Sequence, residues 1–143
     1  MFRFKVPRKR RLAVPALRIS KPLEGLTGIV QGWPATDIEE RMYIAFLHNA
    51  VLPDDIEFQP SYLAGRSMLG EIRPDFALHI GLIQIWYADE DFFHRTAEQA
   101  NRDAFNDARL FNEMQGAIEF PIRISGDDLE TQEKADAAVR GKL

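Results

Sequence analysis

The chain has 143 residues, of which 45% are apolar, so it can form one folded domain with its own core and is not disordered. It contains no cysteine, which excludes a disulfide framework and a cysteine-based zinc site. No apolar run approaches the ~18 residues of a membrane-spanning helix, and the basic N-terminus lacks the apolar segment of a secretory signal. We therefore expect no membrane contact and a location in the cytoplasm or within a virus particle.

The charges are split unevenly along the chain. Residues 1–21 hold eight Lys or Arg and no acid, whereas the remaining residues hold ten basic and all 22 acidic side chains and sum to −12. Recurring prolines predict an extended arm over residues 1–35. Its basic cluster, Arg8-Lys9-Arg10-Arg11, suits DNA phosphates. It equally suits an acidic protein neighbour, including another copy of this chain, so both partners stay open.

The first half of the body predicts one helix followed by three strands. Thr36 and Glu39 form a capping-box pattern at the start of a helix over about 36–51. Strands are predicted over about 56–59, 71–78 and 81–88.

The second half predicts a helix, a strand and a last helix. A helix over about 95–115 carries small residues at spacings of three and four, which favours close packing of that stripe on a sheet. The stripe consists of Ala97, Ala100, Ala104, Ala108 and Phe111. A strand over about 117–124 and a helix over about 127–140 follow. The order predicts an α/β fold, with a mixed sheet and one crossover, over residues 36–143.

Pro74-Asp75 is the most informative pair for chemistry. A carboxylate at a strand, followed by a neighbouring strand that carries polar groups, is the way two-strand nucleases present ligands to Mg²⁺. The alternative is that Asp75 only forms a turn or a cap.

Six short pieces, in matching order and spacing, carry a resemblance to a known family. They are Glu39-Glu40-Arg41-Met42-Tyr43, Phe58 to Arg66, Arg73-Pro74-Asp75-Phe76, Phe92-Phe93-His94, Asn101-Arg102-Asp103 with Leu110, and Ile124 to Asp128. From Trp33 onward, the chain resembles the PD-(D/E)XK nuclease-like superfamily, and within it phage and bacterial proteins related to very-short-patch-repair endonucleases. The resemblance implies a restriction-endonuclease-like fold and leaves the basic arm outside it.

The resemblance also assigns site residues and shows where the family motif is incomplete. Asp75 matches the family's strand acid, but no Glu-x-Lys follows. Aligned by its apolar core, the next strand has Gln84 in place of the second acid and Trp86 in place of the lysine. Aligned from Phe92-Phe93-His94, it has Tyr87 and Asp89 there.

We therefore name Asp75, Gln84 and Glu40 as candidate catalytic residues, and Asp75, Glu40 and Asp89 as candidate Mg²⁺ ligands. Glu39 is the alternative to Glu40 on the first helix. The competing interpretations are a buried amide for Gln84 and a solvated loop for Asp89 with its acidic neighbours.

Arg66 and Arg73 flank the Asp75 strand and are candidate phosphate contacts, with surface solvation or pairing with Glu71 as the alternative.

Together these features predict a nuclease-related protein that processes or binds DNA. It would be a Mg²⁺-dependent endonuclease if active, but the incomplete motif argues against cleavage. The alternative is a structural or assembly protein, such as a phage particle component. There the nuclease-like fold would be a scaffold, and the arm would bind protein neighbours or further copies of the chain.

Overall fold

The computed structural model describes residues 25–62, 73–89, 96–114 and 116–143. Several predicted features lie outside these ranges. They are the arm up to residue 24 with Arg8, Lys9, Arg10 and Arg11, then Arg66, and the segment 90–95 with Phe92-Phe93-His94.

A four-stranded sheet forms the centre of the fold, with strand order β3-β4-β5-β6. The strands are β3 (Ile56–Phe58), β4 (Phe76–His79), β5 (Ile83–Asp89) and β6 (Ile122–Ser125). The pairs β3–β4 and β4–β5 are antiparallel, and the pair β5–β6 is parallel. A parallel pair requires a crossover connection, and α2 (Ala97–Glu113) lies in that connection. The predicted mixed α/β architecture with one crossover is confirmed.

Two apolar clusters lie on opposite faces of the sheet, because successive side chains of a strand alternate between faces. Phe76 and Trp86 face α1 (Asp37–His48) and α3 (Gln132–Lys142), where Phe46 packs edge-on against both rings at 5.2 and 5.1 Å. The smaller cluster contains Ala77, Ile85, Ile118 and Leu110, the last of these from α2. Most of the core therefore lies on the α1 side.

The predicted capping box of α1 is confirmed. Thr36 Oγ1 accepts a hydrogen bond from Glu39 N at 3.3 Å, and Thr36 N donates to Glu39 Oε1 at 2.9 Å. The helix ends at His48, earlier than predicted, because Asn49 closes it and Ala50 adopts a left-handed φ of 69°.

Residues 25–35, which the sequence assigns to the arm, pack on the body. They contain a two-stranded hairpin of β1 (Ile29–Val30) and β2 (Trp33–Pro34). Gln31 and Gly32 form its turn at φ values of 51° and 86°, the left-handed conformation that a two-residue hairpin turn requires. Val30 and Ala35 are buried in the main cluster, so this hairpin belongs to the folded domain.

Other predicted boundaries also differ from the structure. Of the strand predicted over 71–78, the described residues 73–75 lie outside β4, which begins at Phe76. The strand predicted over 117–124 is confined to β6, and Ile118 only bridges to Ile83. The helix predicted over 127–140 is divided: Ser125 Oγ caps a 3-10 turn, and Thr131 caps α3 separately. Each of these two hydroxyl side chains starts a helical segment of its own.

The predicted packing of α2 through its small residues is wrong. Ala97, Ala104, Ala108 and Phe111 are exposed, and the buried residues of α2 are Asp107, Arg109 and Leu110. The reason is a buried ion pair, described below, which turns the opposite face of α2 toward the sheet. None of the helices in the described ranges has both the length and the hydropathy needed to cross a membrane.

Candidate functional site

Asp75 lies immediately before β4, where the chain enters the sheet. Its Oδ2 accepts a hydrogen bond from the backbone N–H of Ala88, near the end of β5, at 2.7 Å. Because β4 and β5 are antiparallel, the start of one strand lies beside the end of the other. The Asp75 carboxyl is therefore fixed between two strands rather than extended into solvent.

Glu39, in the first turn of α1, brings a second carboxyl to Asp75. The pKa of Asp75 is raised to about 7, mainly by burial and also by the negative charge and hydrogen bond of Glu39, while the Ala88 N–H acts in the opposite direction. A hydrogen bond between two carboxyl groups needs a proton on one of them, and the raised pKa places it on Asp75. Helix and strand thus bring two carboxyl groups together in what we call the Asp75–Glu39 pair.

Glu40, the predicted ligand next to Glu39, serves a different part of the molecule. Its carboxylate accepts hydrogen bonds from Thr27 N at 2.9 Å, Thr27 Oγ1 at 2.9 Å and Gly28 N at 2.7 Å, and only 4% of the residue is exposed. Neighbouring residues on a helix point about 100° apart, so only one of the two glutamates can face Asp75. The structure brings Glu39 to Asp75 and uses Glu40 to hold the chain before β1.

Gln84, the other predicted catalytic residue, lies in the core. Its Oε1 accepts a hydrogen bond from Trp86 Nε1 at 3.2 Å, and its strand position is opposite Leu78. Asp75 lies at the other end of β4, beside Ala88. The interpretation of Gln84 as a satisfied buried amide is confirmed, and Trp86 is fully buried in the main cluster.

Asp89 is paired with Arg123 of β6, a residue that the sequence analysis did not identify. Arg123 Nη1 contacts both oxygens of Asp89 at 3.2 Å, while Nε and Nη2 donate to the two oxygens of Asp107 at 2.9 and 2.8 Å. The guanidinium also lies 4.0 Å from the centre of the Tyr87 ring. Asp89 therefore shares one arginine with Asp107.

A signal for this network is present in the sequence. Arg123 stands between Ile122 and Ile124, and a charged residue within a short apolar strand implies a buried partner. Its strand partner is Tyr87, whose pKa is raised above its ordinary value by burial and by the charge of Asp107. Tyr87 is thus a neutral hydroxyl at neutral pH and does not replace the family's second acid.

Arg73 adds a positive charge near the Asp75–Glu39 pair. It is exposed, stands two residues before Asp75, and donates from Nη1 to the backbone oxygen of Gln59 at 3.4 Å. A guanidinium is a side chain that recognises phosphate and carboxylate groups.

The Asp75–Glu39 pair fits the ligand preferences of Mg²⁺. Within the described ranges, no cluster of three or more His, Cys, Asp or Glu side chains is placed to hold a metal ion. Mg²⁺, however, is commonly held by one or two carboxylates, with water and substrate phosphate completing the shell. The pair therefore has enough acidic ligands for that cation.

Comparisons with protein-family models, with curated proteins and with solved structures give no match to this chain. The functional interpretation consequently depends on the chemistry of the Asp75–Glu39 pair and its surroundings.

Replacing Glu40 should destabilise the fold without involving the Asp75–Glu39 pair. In Glu40→Gln, an amide NH₂ replaces one of the oxygens that face the Thr27 and Gly28 donors, so at least one buried donor loses its acceptor. We expect the free energy of unfolding to fall by about 2–4 kcal/mol, measured by urea denaturation. Glu133→Gln, on the exposed side of α3, is the matched control and should change it by less than about 0.5 kcal/mol. Equal stabilities of the two variants would contradict the role given to Glu40.

The titration of Asp75 should appear in the pH dependence of stability. Between the unfolded pKa of 3.8 and the folded pKa of about 7, the folded state holds a proton that the unfolded state has lost. The contribution of this group to the free energy of unfolding is therefore greatest at low pH. It decreases as the pH rises, by at most about 1.4 kcal/mol per pH unit. Asp75→Asn removes this loss, so its stability relative to the natural chain should rise from pH 4 to pH 7. Urea denaturation across that range, in the presence of a chelator, measures the difference; a constant difference would refute the raised pKa.

Proposed function

We propose that the protein is a nuclease-related protein that processes or binds DNA, in which Asp75 and Glu39 bind Mg²⁺ and cleavage is weak or lost. The observation that carries this proposal is the meeting of a helix carboxyl and a strand carboxyl at one end of the sheet. A first-helix acid beside the strand acid is also what the resemblance to the PD-(D/E)XK superfamily implies. The order of helix, three strands, helix and strand supports the same assignment.

The chain's own residues supply binding and orientation at this site. Ala88 N–H fixes one oxygen of Asp75, and Thr36 N–H holds Oε1 of Glu39, so both carboxyls are oriented before a cation arrives. Binding requires the proton of Asp75 to leave, because the carboxylate form is the metal ligand. When bound, Mg²⁺ would polarise a phosphodiester and make its water more acidic. Arg73, two residues before Asp75 in the chain, would contact a neighbouring phosphate.

The remaining motif positions support weak or lost cleavage. Asp89 is engaged by Arg123, and Gln84 belongs to the core. The lysines of the described ranges, Lys134 and Lys142, both lie on α3, so none of them takes the place of the family's lysine on β5. Without a second strand acid and a lysine, charge stabilisation in a transition state depends on the cation and on Arg73.

The alternative function, a structural or assembly protein, is favoured by the same Arg123 network. Asp89 and Asp107 are bound by one guanidinium that joins β5, α2 and β6. Charged groups that pair in this way stabilise the fold, and a protein that acts only as a scaffold does not need to bind a cation. In that case the basic arm would bind protein neighbours instead of DNA.

Cation binding should require Asp75 and should release a proton. We expect isothermal titration with Mg²⁺ or Mn²⁺ at pH 6.5 to show one site and, in buffers of different ionisation enthalpy, about one proton released per cation. Asp75→Asn should weaken binding at least about tenfold, because one of two anionic ligands is lost. Glu133→Gln should bind as the natural chain does. Equal affinity in all three proteins would overturn the cation site. Incubating the same three proteins with branched or single-stranded DNA would reveal any cleavage that depends on Asp75.

DNA binding should depend on the arm and on salt. Replacing Arg8, Lys9, Arg10 and Arg11 together by Gln should weaken binding and lower the slope of log affinity against log salt by up to about 0.7–0.9 per lost phosphate contact. Arg73→Gln should have a smaller effect of the same sign. Arg140→Gln, on the exposed end of α3, is the control. Fluorescence anisotropy with labelled DNA measures all four proteins. An absence of DNA binding in the natural chain would favour the structural alternative.

A further inference from the structure

The outer face of α2 is apolar although it is exposed. Ala97, Ala104, Phe105, Ala108 and Phe111 are all exposed, and their spacing places them on one side of the helix. The same side also carries the amides of Asn101 and Asn112 and, at its edge, the carboxylate of Glu98. An exposed helix face normally carries several charged residues, so a face with one charge at its edge has the composition of a covered face.

Aromatic side chains enlarge this surface beyond the helix. The ring of Phe120, which precedes β6, lies 5.5 Å from that of Phe111. The exposed fractions are 40% for Phe111, 53% for Phe120 and 56% for Phe105. Two half-exposed phenylalanines in contact, with a third exposed on the same helix, typically mark an interaction surface. We call this set, with Ala97, Ala104 and Ala108, the α2 face.

The inner side of α2 gives the helix little apolar anchoring. Of its 17 residues, Asp107, Arg109 and Leu110 are buried, and two of these are charged. Most helical stability in proteins comes from packing of an apolar face. In α2, the larger apolar face points away from the sheet.

We propose that the α2 face binds a second copy of this chain, with the two α2 helices antiparallel and crossing near Ala104. The face is self-complementary about that residue: Phe111 lies seven positions after Ala104 and Ala97 lies seven positions before it. In a two-fold pair, the large ring of one copy therefore falls opposite the small methyl group of the other. Alanine at the crossing point allows the two helix backbones to approach closely.

The size of the surface indicates a weak dimer. A helix of this length extends about 25 Å, and with the phenylalanines the pair would bury about 800–1,000 Å² in total, at the low end for specific interfaces. Interfaces under about 1,200 Å² are typically weak or transient, so we expect association in the micromolar range. The stripe of Ala97, Ala104, Ala108 and Phe111 carries no charge, so it suits a second apolar face better than it suits the basic cluster of the arm. The proposal is independent of the cation site.

Sedimentation equilibrium of the full chain from about 5 to 500 μM tests this dimer. We expect the natural chain to associate over this range. Ala104→Glu should remain monomeric, because two like charges would meet at the crossing point. A mixture of Ala104→Glu and Ala104→Lys should associate again, which neither variant should do alone. Ala137→Glu, at an exposed position of α3, is the matched control and should behave as the natural chain.

A cysteine provides a direct proximity measurement, since the chain has none of its own. Ala104→Cys should form a disulfide-linked dimer under mild oxidation, whereas Ala137→Cys should not. A monomeric natural chain at every concentration, or unchanged association of Ala104→Glu, would overturn the proposal. So would a loss of monomer stability in Ala104→Glu without change in association, since that result would mean that the chain covers its own α2 face.

Discussion

The guanidinium of Arg123 joins the three elements that form the parallel half of the fold. Its Nε and Nη2 donate hydrogen bonds to Asp107 of α2, and its Nη1 donates to Asp89 of β5. The guanidinium also lies over the ring of Tyr87. A buried arginine needs such partners, because removing a charge from water is costly unless it is paired. The ion pair of Arg123 with Asp107 fixes which side of α2 faces the sheet, so the alanines and Phe111 lie on the outer side. Because Asp89 is bound by the same arginine, it is not a candidate metal ligand.

The same end of the sheet contains a second, opposite arrangement of charge. Asp75 and Glu39 are two carboxyl groups in a desolvated place, where the raised pKa of Asp75 allows a proton to take the part of a cationic side chain. The protein thus holds Asp89 and Asp107 with one arginine and leaves the Asp75–Glu39 pair with an exchangeable positive partner. That contrast is the reason for assigning Mg²⁺ binding to the pair rather than to Asp89.

Local patterns in the sequence predict the elements well and the site only partly. Thr36 and Glu39 predict the start of α1 correctly because a capping box needs only residues three positions apart. Asp75 is correctly placed at the strand edge. The choice between Glu39 and Glu40 depends on the rotation of α1 over the sheet, which no local pattern determines. The alanine stripe misleads for a related reason: spacing shows that the residues share a face, but the ion pair of Asp107 with Arg123 decides where that face points.

Glu40 also connects the N-terminal side of the domain to α1 mechanically. Its carboxylate accepts hydrogen bonds from the backbone N–H groups of Thr27 and Gly28, and the adjacent Glu39 belongs to the Asp75–Glu39 pair. Any tension carried along the chain into Thr27 is therefore borne by the first turn of α1.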